Sequence, residues 1–467
     1  MSNEVPVSQA ELRPPGNPAA TGLPLTMIED ILLRIVVADG RQSVTKVAER
    51  MHCVPGMLDG VVSALRDRSL IEYQGMDGRT YLIAATEAGR EQSRRRSEEC
   101  RYAGPLPVPL DLYSRVVRAQ RPNLYLDRDT LTHAYSDLVV SAELIDQLGP
   151  AICGDGAMFL YGPPGTGKSS LAERMIRAYG DTVLVPHCIE ASGQVITVFD
   201  PTLHEPLEEQ PAALDSRWIV CKRPAVIAGG ELHGAMLDLN LDTEVGTYLA
   251  PLQLKANNGI LVIDDFGRQI MTPEELLNRW IVPLDRQIDY LTLAGRKFAV
   301  PFEVKVVLST NLDPASLGDE AFFRRIHNKV YVGCLDDEQF DWVLARVASA
   351  KRVELTEDAA AHLRRRARAA GDGELRAYLP GVVCKLALAI CRYENTAPKL
   401  SPALVDRVLD LYFARTDARS AKPADLPGRP RRTGCAALGV ALRARRRALW
   451  RCTLSDGGSG ATARPTS

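Results

Sequence analysis

From Leu25 onward, Ile28, Leu32, Ile35 and Val36 recur at helical spacing and predict a first helix. "SVTKVAERMH" continues the helical pattern, and Val54-Pro55-Gly56 breaks it. "MLDGVVSALRDRSL" is a further amphipathic helix. "IEYQGMDGRTYLIA" predicts two strands joined by a turn at Asp77-Gly78. "TEAGREQSRRRSEE" is a charged helix that starts from a Thr86 cap. A Pro-punctuated linker, "YAGPLPVPLDLY", comes next, and helical patterning returns near residues 131–148. From "AMFLYG" to about residue 345, strand-like runs alternate with helical stretches; "TVLVPHC", "GILVIDDFG" and "VKVVLSTNL" are the clearest strands. Such alternation predicts an α/β fold with a mostly parallel sheet covered by helices. Residues 346–415 read as helices only.

The ends of the chain differ in composition. Residues 1–23 are polar and Pro-rich and read as a disordered lead-in. Residues 416–467 are rich in Arg, Ala, Gly and Pro and read first as a disordered basic tail. A short amphipathic helix at 442–450 and an out-of-frame extension are the other readings of that tail. The expected organisation is therefore a lead-in over 1–23, a small helical and hairpin domain over 24–103, and an α/β domain over 104–345. A helical segment over 346–415 and the tail follow.

The formal net charge of −1 provides no global field toward nucleic acid or membrane, so any such contact needs a local patch. The ten cysteines are scattered without a CxxC pair, as expected of reduced thiols in a cytoplasmic protein. The N-terminus has no apolar core suited to a signal peptide. No run of about 18 apolar residues predicts a membrane span.

"LYGPPGTGKSS" fits G-x-x-x-x-G-K-[ST] with Gly162, Gly167, Lys168 and Ser169. It follows an apolar strand and opens a helical run, the context this phosphate-binding loop requires. The candidate ATP contacts run from Gly162 through Pro163, Pro164, Gly165, Thr166, Gly167, Lys168, Ser169 and Ser170. Backbone N–H groups and the helix N-terminus would cradle phosphate oxygens. Lys168 suits the outer phosphates, and the Ser169 hydroxyl suits Mg2+. "GILVIDD" adds Asp264 at a strand end as a second Mg2+ ligand and Asp265 as the group that orients or deprotonates water. Many ATPases carry Glu at the second position. Asp is roughly 1 Å shorter, and a misplacement of that size can cost ~100-fold in rate. Three further residues favour hydrolysis over binding alone. Asn311, at the end of "VVLSTNL", can reach γ-phosphate and water. One of Arg324 and Arg325 in "DEAFFRRIHNK" can act as an arginine finger. Arg376 in "GDGELRAYL" can report nucleotide from the helical segment.

In the order phosphate loop, "LVIDD", "STN", "FFRRI" and helical lid, residues 105–415 resemble an AAA+ ATPase. "GGELHGAMLDLNLDTEVGTYLAPLQLKANNGILVIDDFGRQ" is similar to the magnesium-chelatase-like group with an insert beside helix 2. "LLNRWIVPLDRQIDYLTLAGRKFAVPFEVKVVLSTNLDP" continues the likeness. Together with "DSRWIV", "APLQLKANNG" and "DEAFFRRI", the chain resembles bacterial predicted ATPases of chaperone type, in which the second acid is Asp. The resemblance implies a homo-oligomeric ring, a hexamer, with ATP and Mg2+ at subunit boundaries and a protein client. That family's pattern near the lid runs like Arg-Ala-Cys-His-Pro-Arg. Here "RAYLPG" keeps Arg376 and places Gly381 where the second Arg would stand.

The three helices and hairpin of residues 25–100 resemble a winged helix-turn-helix domain. The second helix of such a motif normally reads DNA with its early residues. Here the early positions offer Met57 and Asp59, with no Arg, Lys, Asn or Gln before Arg66. Arg79, Arg90, Arg94, Arg95 and Arg96 supply positive charge, diluted by Glu98 and Glu99. A DNA-associated regulator is the alternative to a remodelling enzyme that uses this domain on a protein client.

Overall fold

The computed structural model describes residues 7–121, 126–154, 156–313, 326–370 and 372–413. In the N-terminal region, α1 (Leu25–Asp39), α2 (Val44–Met51), α3 (Pro55–Asp67) and α4 (Glu87–Ser97) fall where the patterning predicts them. Ser43 caps α2, Pro55 occupies the first turn of α3, and Thr86 caps α4 by accepting from Gly89 N–H. Strands Ile71–Asp77 and Thr80–Ala85 pair antiparallel, and Gln42–Ser43 adds to the second of them. Ile28, Ile31, Leu32, Val47, Leu58, Val61 and Ile83 form the local core. Met57, expected on the exposed face of α3, is buried in that core. Met57, Leu58, Val61, Val62 and Leu65 recur at helical spacing and share one buried stripe of α3.

Residues 7–23 correct a second expectation. They carry two short 3-10 helices, Gln9–Leu12 and Pro18–Thr21. Ser8 and Glu11 cap the first reciprocally, and Asn17 caps the second. The Leu12 carbonyl accepts from Asp215 N–H at 2.8 Å, and the buried Arg217 guanidinium donates to the Thr21 carbonyl at 3.3 Å. Caps and docking to distant residues hold this segment, and neither has the periodicity by which an element is read from sequence.

Five parallel strands build the central sheet: β1 (Met158–Tyr161), β2 (Ala225–Ala228), β3 (Ile260–Ile263), β4 (Lys305–Thr310) and β5 (Asn328–Tyr331). Their order is β2-β3-β4-β1-β5. All residues of β3 and β4 are buried, as expected where helices cover both faces of a parallel sheet. One side packs against α5 (Lys168–Met175) and the helix Ala142–Cys153 through Leu148, Leu171 and Met175. The other packs against α6 (Pro273–Arg286) through Leu276 and Trp280, with Phe266 of the turn after β3 in the same core. The expected α/β class with a parallel sheet is borne out.

The strict alternation is not. Thr182–Pro186, read as one of the clearest strands, lies outside the parallel sheet and pairs antiparallel with Trp218–Lys222. A separate sheet holds Val108–Pro109, Cys188–Ala191, Gln194–Thr197, Thr247–Leu249 and Asn240–Asp242. Ile288–Leu293 and Arg296–Pro301 form a further hairpin. A second core of Val108, Tyr113, Ile189, Trp218, Leu254 and Leu291 lies beneath these strands. A short apolar run carries no information about its pairing partner, so sheet membership is not legible in it.

Among the described residues, four helices follow the sheet: α7 (Asp337–Lys351), α8 (Glu357–Ala370), α9 (Leu379–Glu394) and α10 (Pro402–Tyr412). Asp336 opens α7 in a capping box with Gln339. The expected basic tail over 416–467 lies outside the described residues.

Candidate nucleotide site

The strand order gathers the predicted residues. β4 lies between β1 and β3, so the end of β4 stands between the phosphate loop and the two acids. The carboxyl ends of such strands are where ligands bind in open α/β sheets. The loop Gly162–Gly167 joins β1 to α5, with left-handed backbone at Gly162, Gly165 and Gly167. Gly165 is further constrained, because a Cβ there would lie 2.2 Å from the Tyr378 ring. Tyr378 N–H also donates to the Gly165 carbonyl at 3.3 Å.

Lys168 is buried at the first turn of α5. Its Nζ donates to the carbonyls of Gly162 at 3.0 Å and Pro163 at 2.7 Å. Burial pulls its ammonium below the ordinary lysine range, and the carboxylates of Asp264 and Asp265 oppose that shift. Ser169 Oγ donates to Asp264 Oδ1 at 2.9 Å. Asn311 Nδ2 donates to Asp265 Oδ1 at 2.9 Å. Lys168, Ser169, Asp264, Asp265 and Asn311 all line one cavity of about 300 Å3, together with Gly165, Gly167, Ser170 and Ser309. The other side of the loop borders a larger cavity of about 840 Å3. Leu138, Val140, Val343 and Ala350 give it apolar walls, and Thr166 and Tyr378 border it too.

The paired hydroxyl and carboxylate of Ser169 and Asp264 are hard oxygen donors at the edge of the phosphate loop, a donor set that fits Mg2+. With ATP as the ligand that the sequence leads one to expect, Asp264→Ala should weaken binding about tenfold in Mg2+ and leave binding in excess chelator unchanged. Equal losses under both conditions in calorimetry would place Asp264 outside the metal's reach.

No curated protein matches the chain. A family model described as a domain of unknown function (DUF8689) matches residues 336–411, the stretch that holds α7 to α10. Among solved structures, the Thermotoga maritima RuvB Holliday junction branch migration motor is similar at 15% identity. That match covers 62% of this chain and 72% of the motor, with a TM-score of 0.34. One point mutant of that motor matches at 16% identity over 62% of this chain and 73% of its own, with a TM-score of 0.34. A second matches at 15% identity over 62% and 73%, with a TM-score of 0.33.

Not every predicted residue joins the site. Arg376 lies in the loop before α9, where its Nη2 pairs with Asp372, and it lines neither cavity. Its neighbour Tyr378, which sequence reasoning passed over within the same "RAYLPG" stretch, sits on the phosphate loop instead. Gly381 falls in the first turn of α9, and a Cβ there would meet nothing within 4 Å. Arg324 and Arg325 lie outside the described residues. Gln269, at the end of the quoted "IDDFGRQ", was also missed. Its only signal was its place four residues after Asp265.

Proposed function

We propose that the chain is an AAA+ ATPase that binds ATP with Mg2+ and hydrolyses it. The observation that carries this reading is the convergence of Lys168, Ser169, Asp264, Asp265 and Asn311 on one cavity at the carboxyl ends of β1, β3 and β4. The loop's two sides divide the ligand. Phosphates belong in the smaller cavity, against Lys168 and the backbone N–H groups that open α5. The nucleoside belongs in the larger, mostly apolar one, whose size is usual for small-molecule sites. Ser169 and Asp264 would hold Mg2+, which neutralises developing phosphate charge when bound. Asp265 accepts the proton of the attacking water, and Asn311 holds both that carboxylate and the water in place.

The reading extends to a homo-oligomer, a hexameric ring, in which Arg325 or Arg324 of one subunit reaches the γ-phosphate bound by the next. Arg325→Ala chains should bind ATP but fail to hydrolyse it alone. Mixed with Lys168→Ala chains, which retain Arg325, they should recover activity at shared boundaries. Failure to recover on mixing, with activity linear in protein concentration down to the monomer, argues against action in trans.

The N-terminal region, read as a winged helix, favours a protein client over DNA. The exposed early face of α3 presents Gly56, Asp59 and Gly60, none of which donates to base edges. The arginines of α4 are occupied: Arg90 pairs with Glu87, Arg94 and Arg95 with Glu91, and Arg96 with Asp30. Work on that client is then ATP-driven remodelling. Stimulation of ATPase activity by a protein fraction and not by duplex DNA supports this assignment; stimulation by DNA alone supports the regulator.

A further inference from the structure

We infer that Gln269 is the positioning residue that lets a short acid act as the base of this site, an inference that rests on the ATPase reading above. Asp265 has a left-handed backbone, with φ of 49°. That conformation is uncommon for a residue other than glycine and persists only where its surroundings fix it. The turn's own main chain supplies one constraint, with Arg268 N–H donating to the Asp265 carbonyl at 3.0 Å, and two more come from outside it. On the outer side, β4 holds the turn: Phe266 N–H donates to the Ser309 carbonyl at 2.7 Å, and Thr310 Oγ1 donates to the Phe266 carbonyl at 2.7 Å. The half-buried Gln269 side chain also braces the turn. Its Nε2 donates to the Asp264 carbonyl at 2.8 Å and to the Asp265 carbonyl at 3.2 Å. Its Oε1 accepts from Gly267 N–H at 2.8 Å.

One amide therefore ties the backbone of both acids to the glycine beyond them. The Asp265 backbone sets where its carboxylate stands beside Asn311. An aspartate has one fewer side-chain torsion than glutamate with which to correct an error in backbone placement. The turn must then deliver the accuracy that a longer acid would find for itself. Gln269 lines neither cavity itself, so it acts on the reaction through the main chain of the two acids it holds.

A double-mutant cycle in the full chain tests this. Gln269→Ala should lower kcat by ~10–100-fold, the cost of a misplacement on the 1 Å scale, with ATP affinity unchanged. Gln269→Glu is close in shape and keeps an acceptor for Gly267 N–H, but when ionised it has no donor for either carbonyl. It should lose kcat at neutral pH in the same way, with a thermal midpoint near that of the wild type. In an Asp265→Asn background, Gln269→Ala should cost nothing further. A full loss in that background, or a matching loss of ATP affinity, overturns the inference while leaving the ATPase reading intact. Wild-type kcat in Gln269→Glu overturns it as well. Should Asp265→Asn itself turn over ATP at the wild-type rate, the inference falls with the base role of Asp265 while ATP hydrolysis stands; no turnover by a wild type saturated with ATP fails the ATPase reading instead, so the two failures are told apart.

Discussion

Lys168→Ala should lose ATP affinity by ~100-fold or more, which takes binding out of reach of ordinary titration calorimetry. The side chain is buried at the first turn of α5, and its Nζ already lies against the loop carbonyls of Gly162 and Pro163. Alanine leaves the phosphate charge without its partner and leaves those carbonyls without their donor. The loop glycines and α5 remain, so the fold should persist. A convenient readout is ligand stabilisation. ATP at about 100 times its Kd should raise the unfolding free energy of the wild type by ~2.7 kcal/mol and that of the variant by almost nothing. An unchanged thermal shift in Lys168→Ala would remove the phosphate assignment.

Asp265→Asn should bind ATP normally and turn over slowly, by a factor of ~10²–10⁴, the usual contribution of a positioned general base. The amide can still take the Asn311 hydrogen bond through its oxygen, so geometry survives while basicity is lost. This separates the variant from Lys168→Ala, in which binding fails first. Asp265→Glu is the informative companion. The cavity, the Asn311 contact and the left-handed turn are all set for the shorter acid. Glutamate would carry its carboxylate roughly 1 Å beyond that setting and should slow the reaction, not speed it. Turnover of Asp265→Asn at the normal rate would assign the water to another residue.

The phosphate loop and the acid pair were legible because their chemistry is local in sequence. Strand, glycines, Lys168 and Ser169 occupy one unbroken stretch, and "LVIDD" ends one strand. Helix positions in the N-terminal region and after the sheet were legible for a similar reason: periodicity and caps such as Thr86 and Asp336 act over a few residues. What pairs with what was not. Nothing in "TVLVPHC" distinguishes a parallel partner in the central sheet from the antiparallel one it has. The place of β4 between β1 and β3, which brings Asn311 to Asp265, is set by long-range pairing. Residues 7–23 look too polar to fold alone, yet they are held by Asp215 and Arg217 some two hundred residues away in the chain. Arg376 drew attention as a charge, whereas the residue that meets the phosphate loop is an aromatic two positions on. Gln269 acts entirely through main-chain atoms of its neighbours, a role that residue type alone does not announce.

Rapid-quench measurement of phosphate released from γ-labelled ATP tests the ATPase assignment most directly. Wild type and Asp265→Asn are compared at saturating ATP, with Mg2+ and with excess chelator. The wild type should release phosphate only with Mg2+, at least ~100-fold faster than Asp265→Asn, with both chains fully loaded with nucleotide. Equal rates in the two loaded chains would take the base role from Asp265, and no release by a wild type shown to be saturated would contradict the ATPase assignment itself.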